Sequence, residues 1–234
     1  MRLWILVGSC FLLGCSNPKQ TGELQLDQSI RAHGGLEAYQ NTQAFQVVKT
    51  IRLFDSTETL ESETRQFQVL RHTAGAGSSV GWQTPEGRVR LTDHGGELHF
   101  FLSDSLISEK TKEEQVRSTI DGAKFVLFQP FKLYTDKIDL KLVGPRSLDG
   151  FGEVQMYRLQ FPNPSVDRWY FYFDTDHYLV ANEVVHNGRR SLIENLEFQQ
   201  HLGLMLHKHR KSYFVDSLHS TKRLRAEYFY DYFE

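Results

Sequence analysis

The sequence predicts an α+β fold: a strongly curved antiparallel sheet, an open half-barrel, with an N-terminal and a central helix packed on its concave face. Three observations lead there. Alternation of apolar and polar residues recurs in roughly a dozen short segments joined by tight turns, the signature of antiparallel strands. Only two stretches switch to helical spacing. No repeat, low-complexity tract or long linker divides the chain, so these elements belong to one domain. A sheet of so many strands curls, and helices on the concave side would bury its inner face.

The first residues stand apart from this domain. Met1-Arg2 is a short basic start, and Leu3 to Leu13 is an apolar run broken only by Gly8, Ser9 and Cys10. This is the n-region and h-region of a signal peptide, too short for a membrane-spanning helix of about 20 residues. Leu12-Leu13-Gly14-Cys15 follows, and resembles the lipobox of exported bacterial lipoproteins. On that reading residues 1–14 are cleaved, Cys15 is lipid-modified, and residues 15–22 (CSNPKQTG) form a tether to a domain over 23–234. The plain alternative is an uncleaved anchor with an incidental cysteine. Val7-Gly8-Ser9-Cys10 matches less well because its apolar run is shorter. Ser16, not Asp, follows the cysteine, which fits an outer-membrane address.

Processing also decides the cysteine chemistry. The chain has two cysteines. Cys10 leaves with the signal and Cys15 is capped, so no thiol remains for a disulfide, a nucleophile or a zinc site. Loss of residues 1–14 removes Arg2 and leaves 26 basic against 29 acidic residues, net −3. That balance gives no reason to expect nucleic acid.

In the domain, Leu26, Ile30 and the stretch to His33 lie at helical spacing, and Gly34-Gly35 ends the helix. Leu36 to Tyr39 can add a turn. Phe45, Val47, Ile51 and Leu53 then share one strand parity. Strands are also predicted at 65–71, with Phe67 and Val69 inward, and at 80–83, 88–92 and 97–102, with breaks at Ala74–Gly77, Pro85–Gly87 and Asp93–Gly96. Thr111 to Glu114 reads as a capping box. Val116, Ile120, Ala123 and Leu127 follow as a helical stripe, giving a central helix over about 111–128 that Pro130 closes. Strands resume at Ile138–Leu142, 154–161, 168–173, 178–185, 189–199, 204–215 and 224–232. Asn187-Gly188 is a strong two-residue hairpin signal.

This order resembles the LolA/LolB-like superfamily of bacterial lipoprotein carriers and receptors. Three stretches carry the resemblance: Ala32-His33-Gly34-Gly35-Leu36, the hairpin Trp169–Asp174 with His177–Val180, and Asn195–Lys208 around Gly203. It covers nearly all of the mature chain. It implies an open antiparallel barrel covered by helices, with an apolar cavity, and a binding role more than an activity.

Aromatic residues make up 13% of the chain, and their clustering marks the candidate site. Trp169, Phe171 and Phe173 share one strand face, and Tyr170 and Tyr172 the other. Tyr228, Tyr230 and Tyr232 line one face of the last strand. Phe125, Leu127, Phe128 and Phe131 give the central helix more apolar surface than docking requires. These residues are cavity candidates, as pockets are mostly apolar; the plain alternative is a dry core. His207 and His209 fall on one face of a regular strand, but turn and edge roles explain them, Asp174, Asp176 and His177 more simply than metal or acid–base work. No metal and no cofactor is expected. Gly-x-Ser-x-Gly, His-Glu-x-x-His and dinucleotide fingerprints are absent, so an enzyme is the weakest expectation. The expected function is a membrane-anchored envelope lipoprotein holding a lipid, acyl chain or other apolar ligand. The alternatives are an assembly factor docking another envelope protein, or an enzyme on envelope material.

Overall fold

The structure is a computed structural model that describes residues 18–73, 75–160 and 167–233. The signal segment and Cys15 lie outside these residues. Thirteen strands form one antiparallel sheet: β1 (Phe45–Phe54), β2 (Leu60–Leu70), β3 (Ser78–Thr84), β4 (Gly87–His94), β5 (Glu97–Leu102), β6 (Ser105–Leu106), β7 (Asp139–Leu148), β8 (Gly152–Gln160), β9 (Arg168–Phe173), β10 (Leu179–His186), β11 (Arg189–His201), β12 (Leu204–Val215) and β13 (Lys222–Phe233). Four helices are described: α1 (Pro18–Ala32), α2 (Leu36–Asn41), α3 (Lys110–Leu127) and α4 (Phe131–Thr135). The expected α+β half-barrel is what the chain forms.

The spatial order is β6-β5-β4-β3-β2-β1-β13-β12-β11-β10-β9-β8-β7, open at β6 and β7. Every neighbour but one is a neighbour in sequence. The exception is β1 with β13, where Val47 faces Tyr232 and Ile51 faces Tyr228. The chain therefore builds one wing, crosses from edge to edge through α3 and α4, builds the other wing, and closes on its first strand.

Helices line one face of this sheet. Val116, Ile120 and Leu127 of α3 join Phe45, Leu70, Val80 and Leu91 of the first wing in one cluster. Leu26 of α1 and Leu133 of α4 join Leu140, Tyr157, Phe171, Phe173 and Leu179 of the second wing in another. Full burial of each such side chain is worth about 2 kcal/mol. A third cluster occupies the opposite face of the second wing, around Leu148, Val154, Tyr172 and Leu192. The β12–β13 turn closes over it. His219 of that turn bonds the buried Glu183 at 2.7 Å, Tyr172 Oη donates to Glu183 at 2.8 Å, and Arg190 pairs with the same carboxylate. Burial pushes the Glu183 carboxyl up, but His219, Tyr172 and Arg190 outweigh it and hold it below its usual value.

Several boundaries differ from expectation. Helix α1 extends back to Pro18, into the segment read as tether, and Gly22 is buried so closely on β7 that a Cβ would lie 1.8 Å from the Leu140 carbonyl oxygen. Thr111 lies inside α3, whose N-cap is Glu109 with no side-chain cap bond, so the capping box does not form. Strand β7 runs through Gly144-Pro145, where a turn is expected. A register shift between Leu142 and Gly144 absorbs the irregularity, and an edge strand tolerates proline because it owes no ladder bond on its free side. The five-residue α4 is too short to show a period.

Candidate functional site: the concave interior

The cross-strand registers place one continuous face inside the half-barrel. From β9 to β1 the aligned partners run Phe171–Asn182–Ile193–Ser212–Ala226–Leu53 and, one rung along, Asn195–Arg210–Tyr228–Ile51. Phe171 belongs to the cluster that Leu26 of α1 packs on, so this is the helix-lined face. It changes character along the strands. At one end the helices fill it, and Phe45, Phe128 and Phe131 are fully buried. Toward the other end Ile51, Trp169, Val184 and Ile193 are half-buried and Leu53 is exposed. Trp169 of this apolar strip packs against Phe125 of α3, and the other three residues are partly exposed.

A polar belt separates the two ends. Arg210, 3% exposed, donates from Nε to Asn195 Oδ1 at 2.7 Å and from Nη2 to Asn182 Oδ1 at 2.9 Å. Asn195 in turn donates from Nδ2 to the Leu179 carbonyl at 2.5 Å. Tyr230 is buried and directly opposite Lys49, and its hydroxyl proton has no acceptor among the described residues. Burial pushes its phenol up, yet the charges of Lys49 and Arg210 beside it outweigh that and hold it below the ordinary value. The Lys49 ammonium lies 4.8 Å from the centre of the Tyr228 ring.

Two histidines adjoin the belt. His33, at the end of α1, donates from Nδ1 to the Ser29 carbonyl at 2.8 Å, so Nε2 is the bare nitrogen. Burial lowers its pKa to about 4. His207 packs on Phe198 and has no partner for either ring nitrogen among the described residues. Burial, then the charges of Arg210 and His33, hold it well below 6.5. His209 points the other way. The ladder slips between Asn195 and Phe198, and His209 bonds Glu227 at 2.8 Å and stacks on Phe229. The shared face expected for His207 and His209 is therefore removed by this bulge. The Asp174 turn matches its plain reading, with Oδ1 accepting from the Asp176 and Tyr178 amides at 3.0 and 2.8 Å.

Of the aromatic and apolar candidates, Phe125, Leu127, Phe128, Phe131, Trp169, Phe171 and Phe173 lie on this side with Tyr228, Tyr230 and Tyr232, whereas Tyr170 and Tyr172 join the opposite cluster. Leu127, Phe128, Phe131, Phe171 and Phe173 are fully buried in the packed clusters. Phe125 and Trp169 meet edge to face at 5.7 Å and are half-buried. Phe125 also borders a crevice of about 540 Å³ between α3, α4 and the β4–β5 turn. Apart from Tyr230 the belt escaped the sequence reading, because its members are spread over five strands. One signal was present: Lys49 occupies the inward parity between Val47 and Ile51.

The architecture can now be compared with known proteins. No family model matches the chain, and no curated protein sequence matches it. Solved structures do. A LolA superfamily protein from Nitrosomonas europaea superposes with a TM-score of 0.54 over 94% of this chain and 93% of its own, at 15% identity. The chain has the LolA-like fold. A domain described as an outer membrane lipoprotein-sorting protein, from Vibrio parahaemolyticus, superposes with a TM-score of 0.50 over 92% of both chains at 9% identity. At such identities the match concerns the LolA-like architecture alone. No helix among the described residues is long and apolar enough to cross a membrane.

Proposed function

We propose that this protein is an envelope lipoprotein, tethered through lipid on Cys15, whose half-barrel holds an acyl chain on its concave face. The observation that carries this reading is the half-buried apolar strip of Ile51, Trp169, Val184 and Ile193 beside the helix-filled floor. An acyl chain laid on it gains about 0.8 kcal/mol per buried CH₂. Helix α3 is the movable part of the wall: further chain length is accommodated by displacing Leu127 and Phe128. The proteins sharing the fold include one described as sorting outer-membrane lipoproteins, which supports an acylated cargo and an outer-membrane address. Purification of the Cys15→Ala chain without detergent, followed by native mass spectrometry, is expected to show an acyl-bearing ligand. Bare protein that also fails to take up a fluorescent fatty acid would refute the reading.

Two further outcomes follow. Metabolic labelling with palmitate is expected to tag the native chain and not Cys15→Ala; label persisting in the variant would contradict the assignment. Lys124 of α3 pairs with Asp93 of β4 at 3.6 Å, both largely buried. Asp93→Asn removes the charge and retains the acceptor Oδ1 that holds the Gly96 amide. It should cost about 1 kcal/mol and speed fatty-acid uptake if α3 is the cover. Urea unfolding and stopped-flow fluorescence measure the two effects.

A groove of about 600 Å³ on the opposite face favours a second reading, docking of another envelope protein. Val48, Phe67, Val69 and Phe233 line it over Gly81; Phe67 and Val69, expected inward, face outward because Phe67 pairs with Val48, and Phe67 is 64% exposed. Exposed apolar surface of this kind marks interaction sites.

A further inference from the structure

We infer that the ligand of the concave face is an amphiphile with an anionic head, carboxylate or phosphate, and that Arg210 and Lys49 receive that head inside the half-barrel. The inference rests on the reading of the interior as an acyl-chain site, and adds the chemistry of the ligand's polar end.

The first support is an unbalanced charge. Arg210 is almost wholly buried, and the two acceptors it holds, Asn182 and Asn195, are neutral amide oxygens. Among the described residues no carboxylate lies within 4 Å of Arg210 or of Lys49. Elsewhere in the sheet buried charges are paired: Glu183 has Arg190 and His219, and Glu194 has Lys222 at 2.6 Å. A buried cation kept without a counter-ion is unfavourable, and an anionic ligand would supply the missing charge. Guanidinium and carboxylate or phosphate oxygens form the strongest class of hydrogen bond in proteins.

The second support is an unmatched proton. The Tyr230 hydroxyl is buried with Arg210 and Lys49 as its hydrogen-bonding neighbours, and its own proton has no acceptor among the described residues. A buried hydroxyl left unmatched is costly. It is an O–H donor placed where an anionic oxygen would sit, next to the two cations that would neutralise it. The third is position. Arg210 lies one rung from the Asn182–Ile193–Ser212 row, and Lys49 faces Tyr230 beside the Ile51–Tyr228 pair. A head at Arg210 thus leaves its chain on the strip of Ile51, Ile193, Val184 and Trp169. One buried and one half-buried cation set among tyrosines and amides suit one acidic head with a single chain.

Binding of three sixteen-carbon probes to the Cys15→Ala chain tests this: palmitate, palmitoyl lysophosphatidate and hexadecanol. At least one of the two acids is expected to bind ten-fold or more tightly than hexadecanol, and the tighter acid identifies the head. Arg210→Met should weaken that acid ten-fold or more and leave hexadecanol within two-fold. Thermal melting reports whether the variant folds. Should Arg210→Met not fold, Lys49→Met decides, because its half-buried side chain tolerates replacement; it should weaken the acid about three-fold and spare the alcohol. Equal binding of acids and alcohol, or acid binding unmoved in both folded variants, overturns the anionic head while interior binding stands. If none of the probes binds, the acyl-chain reading falls and this inference falls with it.

Discussion

Acidification from pH 7 to pH 4 is expected to remove about 3 kcal/mol of folding stability through His33 alone. The unfolded chain takes up this proton near 6.5, but the buried ring accepts it only near 4. Between those values the unfolded state binds more protons than the native state, so stability is full above 6.5, falls through the window, and levels off for this group below 4. His207, held well below 6.5 by burial and by Arg210, adds a loss of the same sign as the pH falls. Urea midpoints at pH 7, 5.5 and 4 measure the slope. His33→Phe keeps a ring against Tyr178 and Phe198, which lie 5.1 and 5.6 Å from the imidazole, and should flatten the curve. An unchanged slope in that variant would mean that other groups cause the acid loss.

Gly34→Ala is expected to cost about 3 kcal/mol. Gly34 has φ +107°, a conformation that L side chains avoid, and an added Cβ would lie 2.2 Å from the Gly203 carbonyl oxygen and 2.9 Å from Leu204 Cα. Both are backbone atoms, so the β11–β12 turn or the end of α1 must shift. The same junction carries the hydrogen bond from the Met205 amide to the His33 carbonyl, at 3.0 Å. Gly35→Ala is the matched control. Its φ is +92°, but nothing lies within 4 Å of the added carbon, so only backbone strain of about 1 kcal/mol is expected. Chemical denaturation separates the two. Equal losses would show that the α1 terminus does not rest on this turn.

That junction also shows how the sequence and the fold relate. Gly34-Gly35 and Gly203 are each legible as turns, because their chemistry is local. That the two turns touch is not legible, because helix end and hairpin tip are far apart in sequence. The same division holds throughout. Alternation in Phe45–Leu53 and the stripe Val116–Leu127 predict their elements, since each period is written in consecutive residues. The β7 bulge at Gly144 and the slip that sends His207 and His209 to opposite faces are set by pairing with neighbouring strands, and alternation misassigns both. The aromatic candidates on β9 and α3 do lie on the concave side, mostly as packed floor. The polar belt is assembled by register from Lys49, Asn182, Asn195, Arg210 and Tyr230. In the sequence only Tyr230, on an aromatic strand face, and Lys49, a charge at an inward position, betray it.

Packing and binding are two ends of one face in this molecule. The helices satisfy the apolar floor with the chain's own side chains, which stabilises the fold without a ligand. The half-buried strip beyond the belt is the surface proposed for a guest, and the convex groove at Phe67 and Phe233 is the competing one.

Photo-crosslinking with a diazirine-bearing palmitate, followed by peptide mapping, separates these surfaces most directly. Saturable adducts are expected on the concave residues of β9 to β13, around Trp169, Val184, Ile193 and Tyr228, and are expected to decline when unlabelled palmitate competes. Saturable adducts confined to the convex groove of Phe67 and Phe233, or labelling that palmitate does not displace, would contradict a ligand-binding interior.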